Sequence, residues 1–305
     1  MFARIVPRSS ATWVRYVCDD VVSVSQLRRA MSNSAAAVSG AHGAGYKHLK
    51  LEPRRSSLWI SMNRPDVHNS FNEELIAEIR RVFQTMDAKA HRSVVLTGDG
   101  VSFSAGADLN WMKKMAKYTA AQNEQDARDL FDMFLAIREC PLPVIARVNG
   151  AALGGGSGLV ASCDFAFSVK SAVLGFTEVK LGLVPAVISR FVMDKIGKGH
   201  ASRYFLTGER FTADTAVRVG LVQQAFDTAD EMDTTVNKVI DEIAGNSPAA
   251  MRSCKQLIET VSQQSIRGSK DAVAKIIAEA RASAEGQEGL TAFFEKRKPS
   301  YVQRP

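Results

Sequence analysis

The chain is poor in cysteine and histidine, with four of the first and five of the second among 305 residues. Cys18, Cys140, Cys163 and Cys254 lie far apart, no Cys-x-x-Cys pair occurs, and the histidines are scattered. That excludes a disulfide framework and a zinc site, and it fits a reducing compartment. Long apolar runs are also missing. No stretch approaches the roughly 18 consecutive apolar residues that a membrane span requires, so no membrane role is expected. Three motifs fail in turn. There is no Gly-Lys-Ser/Thr of a phosphate-binding loop. Gly154-x-Gly156 is followed by Leu159 where a dinucleotide fingerprint needs its third glycine, so Glu178, 20 residues after Gly158, is not read as a ribose ligand. Gly155-Gly156-Ser157-Gly158-Leu159 lacks the second glycine of a nucleophile elbow, which makes Ser157 a poor nucleophile.

What is present is a chain long enough for a substantial core, with 46% hydrophobic residues. Residues 1–40 differ from the rest. They carry Arg4, Arg8, Arg15, Arg28 and Arg29 amid Ser and Ala, with Asp19 and Asp20 as their only acids. This reads as a mitochondrial transit peptide, and hence a matrix location; a plain polar tail is the alternative. Without that segment Lys+Arg falls from 39 to 34 and Asp+Glu from 32 to 30, so the net charge drops from +7 to +4. A mildly basic protein suits an anionic ligand such as a phosphorylated cofactor.

From about Lys47 the text alternates between strand-like and helix-like segments. "SSLWISMN" reads as a strand ending in a turn at Asn63-Arg64-Pro65. "SFNEELIAEIRRVFQTMDA" reads as a helix capped by Ser70, with Leu75, Ile76, Ile79, Val82, Phe83 and Met86 on one face. "HRSVVLTGDG" and "PVIARVNG" read as strands, "FAFSVKSAVLGF" as two short ones, and "GHASRYFLTGERFTADTAVRVGLVQQAF" as helix, turn, helix and strand. After about Asp227 only amphipathic helices follow. The fold class is α/β.

The densest signal is "ALGGGSGLV", Ala152–Val160, with four glycines in five residues. Glycines opening a helix leave backbone N–H groups pointing outward without intrahelical partners, where the helix dipole adds positive potential. Ser104-Ala105-Gly106-Ala107-Asp108 likewise follows a strand and opens a helix. Two such N–H groups facing one carbonyl oxygen make an oxyanion hole and can stabilise an enolate. The same text is also compatible with two tight strand-to-helix turns and nothing more.

Five segments in this order, "MNRPDVHNSFN", "FSAGADLNWM", "PVIARVNGAALGGGSGLVASCDFAF", "GFTEVKLGLVPAVISRF" and "TAFFEKRK", resemble the crotonase (enoyl-CoA hydratase/isomerase) superfamily over roughly Lys47 to Val302. The resemblance implies a crotonase-type spiral of ββα units over 45–227. It implies a C-terminal helical trimerisation region over 228–305, in a homo-oligomer that is a trimer or a dimer of trimers. It implies an acyl-CoA substrate, with coenzyme A part of the substrate and no separate cofactor or metal. The oxyanion donors fall on the backbone N–H of Ala107 and of Gly155. Contacts to coenzyme A fall on Val67, His68, Ser70, Ala105, Asp108 and Leu109, and Phe293 and Lys296 match residues that reach the coenzyme A of a neighbouring subunit.

Hydratases of this family carry two catalytic glutamates. The second position is Glu178; the first is Gly158, which has no side chain to activate water. A lone carboxylate suits a Δ3,Δ2-enoyl-CoA isomerase. "GADLNWMKKM", "GGGSGLVASCD" and "EVKLGLVPAVIS" resemble instead the methylglutaconyl-CoA hydratase branch of leucine degradation. There Glu178 is expected to act as acid/base, the bare Gly158 to make room for a branched, carboxylated acyl chain, and the substrate's distal carboxylate to help hold the water. Trp111, Met112 and Met115 are expected on the acyl pocket or in the core. Lys113, Lys114 and Arg190 are expected at a distal carboxylate or in solvent. Asp108 also reads as a helix cap. The non-enzyme alternative is an RNA-binding protein of this fold; the pI near 9.3 favours it and the absence of a lysine-rich helix speaks against it.

Overall fold

The computed structural model describes residues 45–302, so the segment 1–40, read above as a transit peptide, lies outside the described residues. The near-continuous apolar runs became central strands. Val94, Val95, Leu96, Val144, Ile145 and Ala146 are fully buried, as expected for parallel strands covered on both faces. They belong to β3 (Ser93–Gly98) and β5 (Val144–Val148) of a six-stranded sheet ordered β1-β2-β3-β5-β7-β10. Its other strands are β1 (Leu49–Arg54), β2 (Ser57–Met62), β7 (Phe165–Val169) and β10 (Gln224–Phe226). Only β1 runs antiparallel to its neighbour.

A second sheet of four short strands has the order β4-β6-β8-β9, from β4 (Ser102–Ser104), β6 (Ala151–Leu153), β8 (Val173–Gly175) and β9 (Arg210–Thr212). The chain alternates between the sheets. Each of β3, β5 and β7 is followed within a few residues by a strand of the small sheet and then by helix, which is the repeated ββα unit. Because β4, β6 and β8 are adjacent and parallel, the segments leaving their C-terminal ends emerge on one edge. Those segments contain Ala107, Gly155 and Glu178.

Ten helices occur among the described residues, α1 to α10 in chain order. The first, α1 (Glu73–Thr85), buries Leu75, Ile76, Ile79, Val82 and Phe83, as the periodicity predicts. Its cap is Asn72, whose side chain accepts from Leu75 N, and not Ser70. Ser70 is buried and donates its hydroxyl to Val67 O at 2.6 Å, closing the preceding turn. Next come α2 (Leu109–Met115) and α3 (Ala120–Arg138), then α4 (Gly155–Ser162). α5 (Ser189–Thr207) breaks at Gly197, with φ +71°, so the helix read from Gly199 is its second half. α6 (Ala213–Arg218) and α7 (Ala229–Ala244) pack against strands, whereas α8 (Pro248–Ser262), α9 (Lys270–Ala282) and α10 (Ala284–Phe294) pack on one another. No helix among the described residues is long and apolar enough to cross a membrane.

A largely buried ion pair helps tie α8 to the core. Lys255 Nζ donates to Leu142 O at 3.0 Å and to Asp164 Oδ2 at 2.6 Å, and the same carboxylate oxygen accepts from Val144 N at 2.7 Å. Both side chains are largely buried. Hydrogen bonds to charged groups contribute about 1.5–3 kcal/mol each way, and removing one partner leaves the other charge without compensation. Lys255→Ala should therefore destabilise the fold by roughly 2–3 kcal/mol, read as a lower urea midpoint at unchanged slope.

Candidate active site

Three loops converge at the shared edge of β4, β6 and β8. The glycine-rich segment needs its glycines for close approach. Gly154 has φ +52° and ψ −121°, a conformation L side chains rarely adopt, and it sits as the cap of α4. A Cβ on it would lie 3.3 Å from Glu178 Oε1. Gly106, at φ +88°, would place a Cβ 2.7 Å from Leu153 O and 3.6 Å from Gly155 N. A Cβ on Gly156 would overlap Ser104 O. The Ser104–Asp108 and Gly154–Gly156 loops therefore lie backbone to backbone, and Glu178 lies against the first residue of the glycine turn.

Among the described residues, neither Ala107 N–H nor Gly155 N–H donates to a protein acceptor. Gly155 is the first residue of α4, where N–H groups have no partner within the helix and the dipole is positive. Ala107 is exposed and forms a parallel bridge with Phe71, which fixes its peptide: Phe71 N donates to Gly106 O and Asp108 N to Phe71 O. Ala107 N–H is left on the other side of that bridge.

Glu178 opens a single turn of 3-10 helix, Glu178–Leu181, directly after β8. Its side chain is half-buried, and Oε2 is buried without a hydrogen-bond partner. Burial pushes the carboxyl above the ordinary carboxylate range, opposed only by its own backbone N–H. No ion pair accounts for the carboxyl among the described residues, and a desolvated, unpaired carboxyl is chemically suited to proton transfer.

Gly158 carries a correction. The bare position was expected to make room for a branched acyl chain. A Cβ there would instead overlap the Ile188 Cγ2 methyl and lie 3.2 Å from Phe134 Cε1, and both residues are buried. The volume of the absent carboxylate is filled by hydrocarbon. Ser157 is buried, donates to Ala152 O at 2.7 Å and accepts from Gly175 N, so it braces β6 against β8.

The expected coenzyme A contacts divide. Val67, His68 and Leu109 are exposed beside Ala107, and Ala105 N donates to His68 O at 2.9 Å. Asp108 and Ser70 are buried. Both Asp108 oxygens are engaged, Oδ1 with Asn110 N at 2.7 Å and Oδ2 with Arg64 Nη2 at 2.9 Å. The Asp108 side chain is thus the cap of α2, with both oxygens engaged by protein donors, and the Ser70 hydroxyl is committed to its turn. Phe293 and Lys296 stand exposed at and just beyond the end of α10, away from any hydrogen bond with these loops. Trp111 is buried and donates Nε1–H to Asp126 Oδ1 at 3.2 Å, while Met115 packs against the core. Lys114 pairs with Glu73 and Arg190 with Asp194. Lys113 is exposed and has no ion-pair partner among the described residues.

Paired ββα units, two free backbone N–H groups and one desolvated carboxyl define an enzyme of the crotonase superfamily. Comparison with known proteins gives the same class. Residues 54–304 match the family model described as enoyl-CoA hydratase/isomerase, and the chain belongs to that family. A solved enoyl-CoA hydratase from Shewanella pealeana superposes with a TM-score of 0.80 at 37% identity, over 84% of this chain and 96% of that one. A short-chain-enoyl-CoA hydratase of Clostridium acetobutylicum is 32% identical over 260 residues, 81% of this chain and 95% of its own length. A Dictyostelium discoideum protein named "Probable enoyl-CoA hydratase, mitochondrial" is 32% identical over 250 residues, 79% of this chain and 86% of its own.

Proposed function

We propose that this enzyme adds water across the double bond of a 2-enoyl-CoA, with Glu178 as its one acid/base group. The observation that carries the reading is the desolvated Glu178 carboxyl with an unpartnered Oε2 beside the glycine turn. The ionised carboxylate takes a proton as the water oxygen bonds to C3. The π electrons move onto the thioester oxygen, which the Ala107 and Gly155 N–H groups hold as an enolate. The enolate then collapses, and C2 takes the proton back from the neutral Glu178. One carboxyl suffices because the two transfers are sequential. Its raised pKa brings the base form and the acid form closer in energy at neutral pH.

The substrate we propose is 3-methylglutaconyl-CoA, an intermediate of leucine breakdown. The segments "GADLNWMKKM" and "EVKLGLVPAVIS" support it. With the space over Gly158 closed, the substrate's distal carboxylate is assigned to holding the water and not to that cavity. Lys113, exposed on α2 and without an ion-pair partner among the described residues, is our candidate to balance its charge. A matrix location rests on the arginine-rich residues 1–40 and on the name of the Dictyostelium relative. A trimer or dimer of trimers is supported by exposed apolar residues on the last three helices, among them Ile258, Ile277, Phe293 and Phe294.

The lone carboxyl also favours a second reading, a Δ3,Δ2-enoyl-CoA isomerase that carries one proton between C2 and C4. Enoyl-thioester absorbance separates the two. With a panel of purified CoA esters, hydration should remove the absorbance of 3-methylglutaconyl-CoA. A gain of absorbance from 3-enoyl-CoA without any loss from 2-enoyl-CoA would replace the hydratase by the isomerase. No change with any ester would overturn both.

A further inference from the structure

The turn before α1 touches both oxyanion loops at once. On one side Phe71 N donates to Gly106 O at 2.7 Å, Asp108 N to Phe71 O at 2.8 Å, and Ala105 N to His68 O at 2.9 Å. Ser104 Oγ donates to Asn69 O at 2.9 Å. On the other side the Phe71 ring lies against Gly155, where a Cβ would come 2.6 Å from Phe71 Cε2. The residues holding the two N–H donors are therefore referenced to one short segment, 64–71, and not only to each other.

That segment is clamped by a single guanidinium. Arg64 Nη1 donates to Ser70 O, and Arg64 Nη2 donates to Asp108 Oδ2 at 2.9 Å. Ser70 and Asp108 flank the Phe71–Ala107 bridge, so the fork spans the peptide that carries the Ala107 N–H. Arg64 N accepts no such freedom either, since it donates to Asn69 Oδ1 at 2.9 Å. The Arg64 and Asp108 side chains are 15% and 8% exposed, so water does not compete strongly for the pair. A planar two-toothed donor fixes direction as well as distance, which an ammonium cannot do.

We propose that Arg64 is a positioning residue for the oxyanion hole: with Asp108 it holds the Ala107 N–H at the angle that the thioester oxygen needs. It touches no reacting atom. The proposal rests on the oxyanion reading above and assigns its precision to a buried ion pair outside the site.

The test uses Arg64→Met, Arg64→Lys and Asp108→Asn in the full-length enzyme, with Glu178→Gln as a reference. Two readouts separate positioning from mere stability. The first is the split between kcat and KM for a 2-enoyl-CoA. The second is the red shift of bound 4-(dimethylamino)cinnamoyl-CoA, a push–pull chromophore that absorbs further to the red as its carbonyl is polarised. Arg64→Met should lower kcat on the order of 100-fold, the effect of a small misplacement, with KM changed less than about threefold. Its red shift should shrink, and Arg64→Lys should restore part of it. Glu178→Gln should keep the full red shift while losing turnover. If Arg64→Met does not fold, Asp108→Asn decides, because its amide oxygen can still accept from Asn110 N and cap α2 while its NH2 group, a donor, cannot accept from Arg64. A folded variant with wild-type kcat and red shift overturns the proposal. So does a loss of turnover with an unchanged red shift. A wild-type enzyme that gives no red shift at all overturns the oxyanion reading together with it.

Discussion

Glu178→Gln should lower kcat by about 10³-fold, within the range for removing a general acid–base group, while substrate binding stays near wild type. The amide keeps the size of the side chain and loses the ability to take the water proton. For the wild type, kcat/KM should fall as pH drops through the free-enzyme pKa of Glu178, which burial places above the ordinary 4.5. The acid limb thus belongs at a higher pH than an exposed glutamate would give. A limb at or below 4.5, or a folded Glu178→Gln enzyme with wild-type kcat, would remove Glu178 from the chemistry.

The same residue should trade stability for activity. Its folded pKa is raised, so the fold favours the neutral carboxyl. Between 4.5 and the raised value the folded state keeps a proton that the unfolded state has released. Stability from this group is fully present below 4.5 and is lost as pH rises through the folded pKa. Well above 4.5 the wild-type fold bears this cost of burying the group and Glu178→Gln does not. The variant should therefore melt at a higher temperature at pH 7, with the gap closing near pH 4.

Gly158→Glu should fail as a repair of the two-glutamate pattern. A side chain there meets the Ile188 methyl and the Phe134 ring, both in a closed core. Ile188 is β-branched and cannot swing aside within one rotamer well. Overpacking costs about 1–3 kcal/mol, and an unpaired carboxyl in that hydrocarbon adds about 1–3 kcal/mol more. The expected outcome is a destabilisation of several kcal/mol in denaturant and no gain in kcat. Removing the Ile188 side chain in the same variant, as Gly158→Glu with Ile188→Ala, should recover part of the stability. A stable Gly158→Glu enzyme with raised hydratase activity would show that this position opens onto the substrate.

Much of the site was legible from local chemistry. The Gly154–Gly156 turn and the Ser104–Asp108 loop announce themselves because close backbone approach demands small residues at consecutive positions. Glu178 stands out as an acid in small, apolar text. The central strands were legible because a doubly covered parallel sheet needs unbroken apolar runs. β1 was not, since its alternation of Leu49 and Leu51 with Lys50 and Glu52 is short and is cut off by Pro53, a residue that speaks against a strand. β4 and β9 are three residues each, too short to set up a period.

Side-chain partners were beyond the sequence for a different reason. Whether Asp108 faces solvent or Arg64, 44 residues away, depends on how a turn before α1 meets a loop after β4. Whether Gly158 borders a cavity or a wall depends on where α5 begins and where its Ile188 points. Whether Lys255 is a surface charge or an anchor depends on Asp164, 91 residues away. The sequence by itself determined which backbone segments could lie close together and which acid stands in apolar text beside them, because both follow from residue type at one place in the chain. Only the tertiary structure decided that the place of the missing first carboxylate, at Gly158, is packed with hydrocarbon and that the largely buried Arg64 links Ser70 O and Asp108, which flank the Phe71–Ala107 bridge. Both are properties of contacts between distant segments, and packing has no signature within either segment alone.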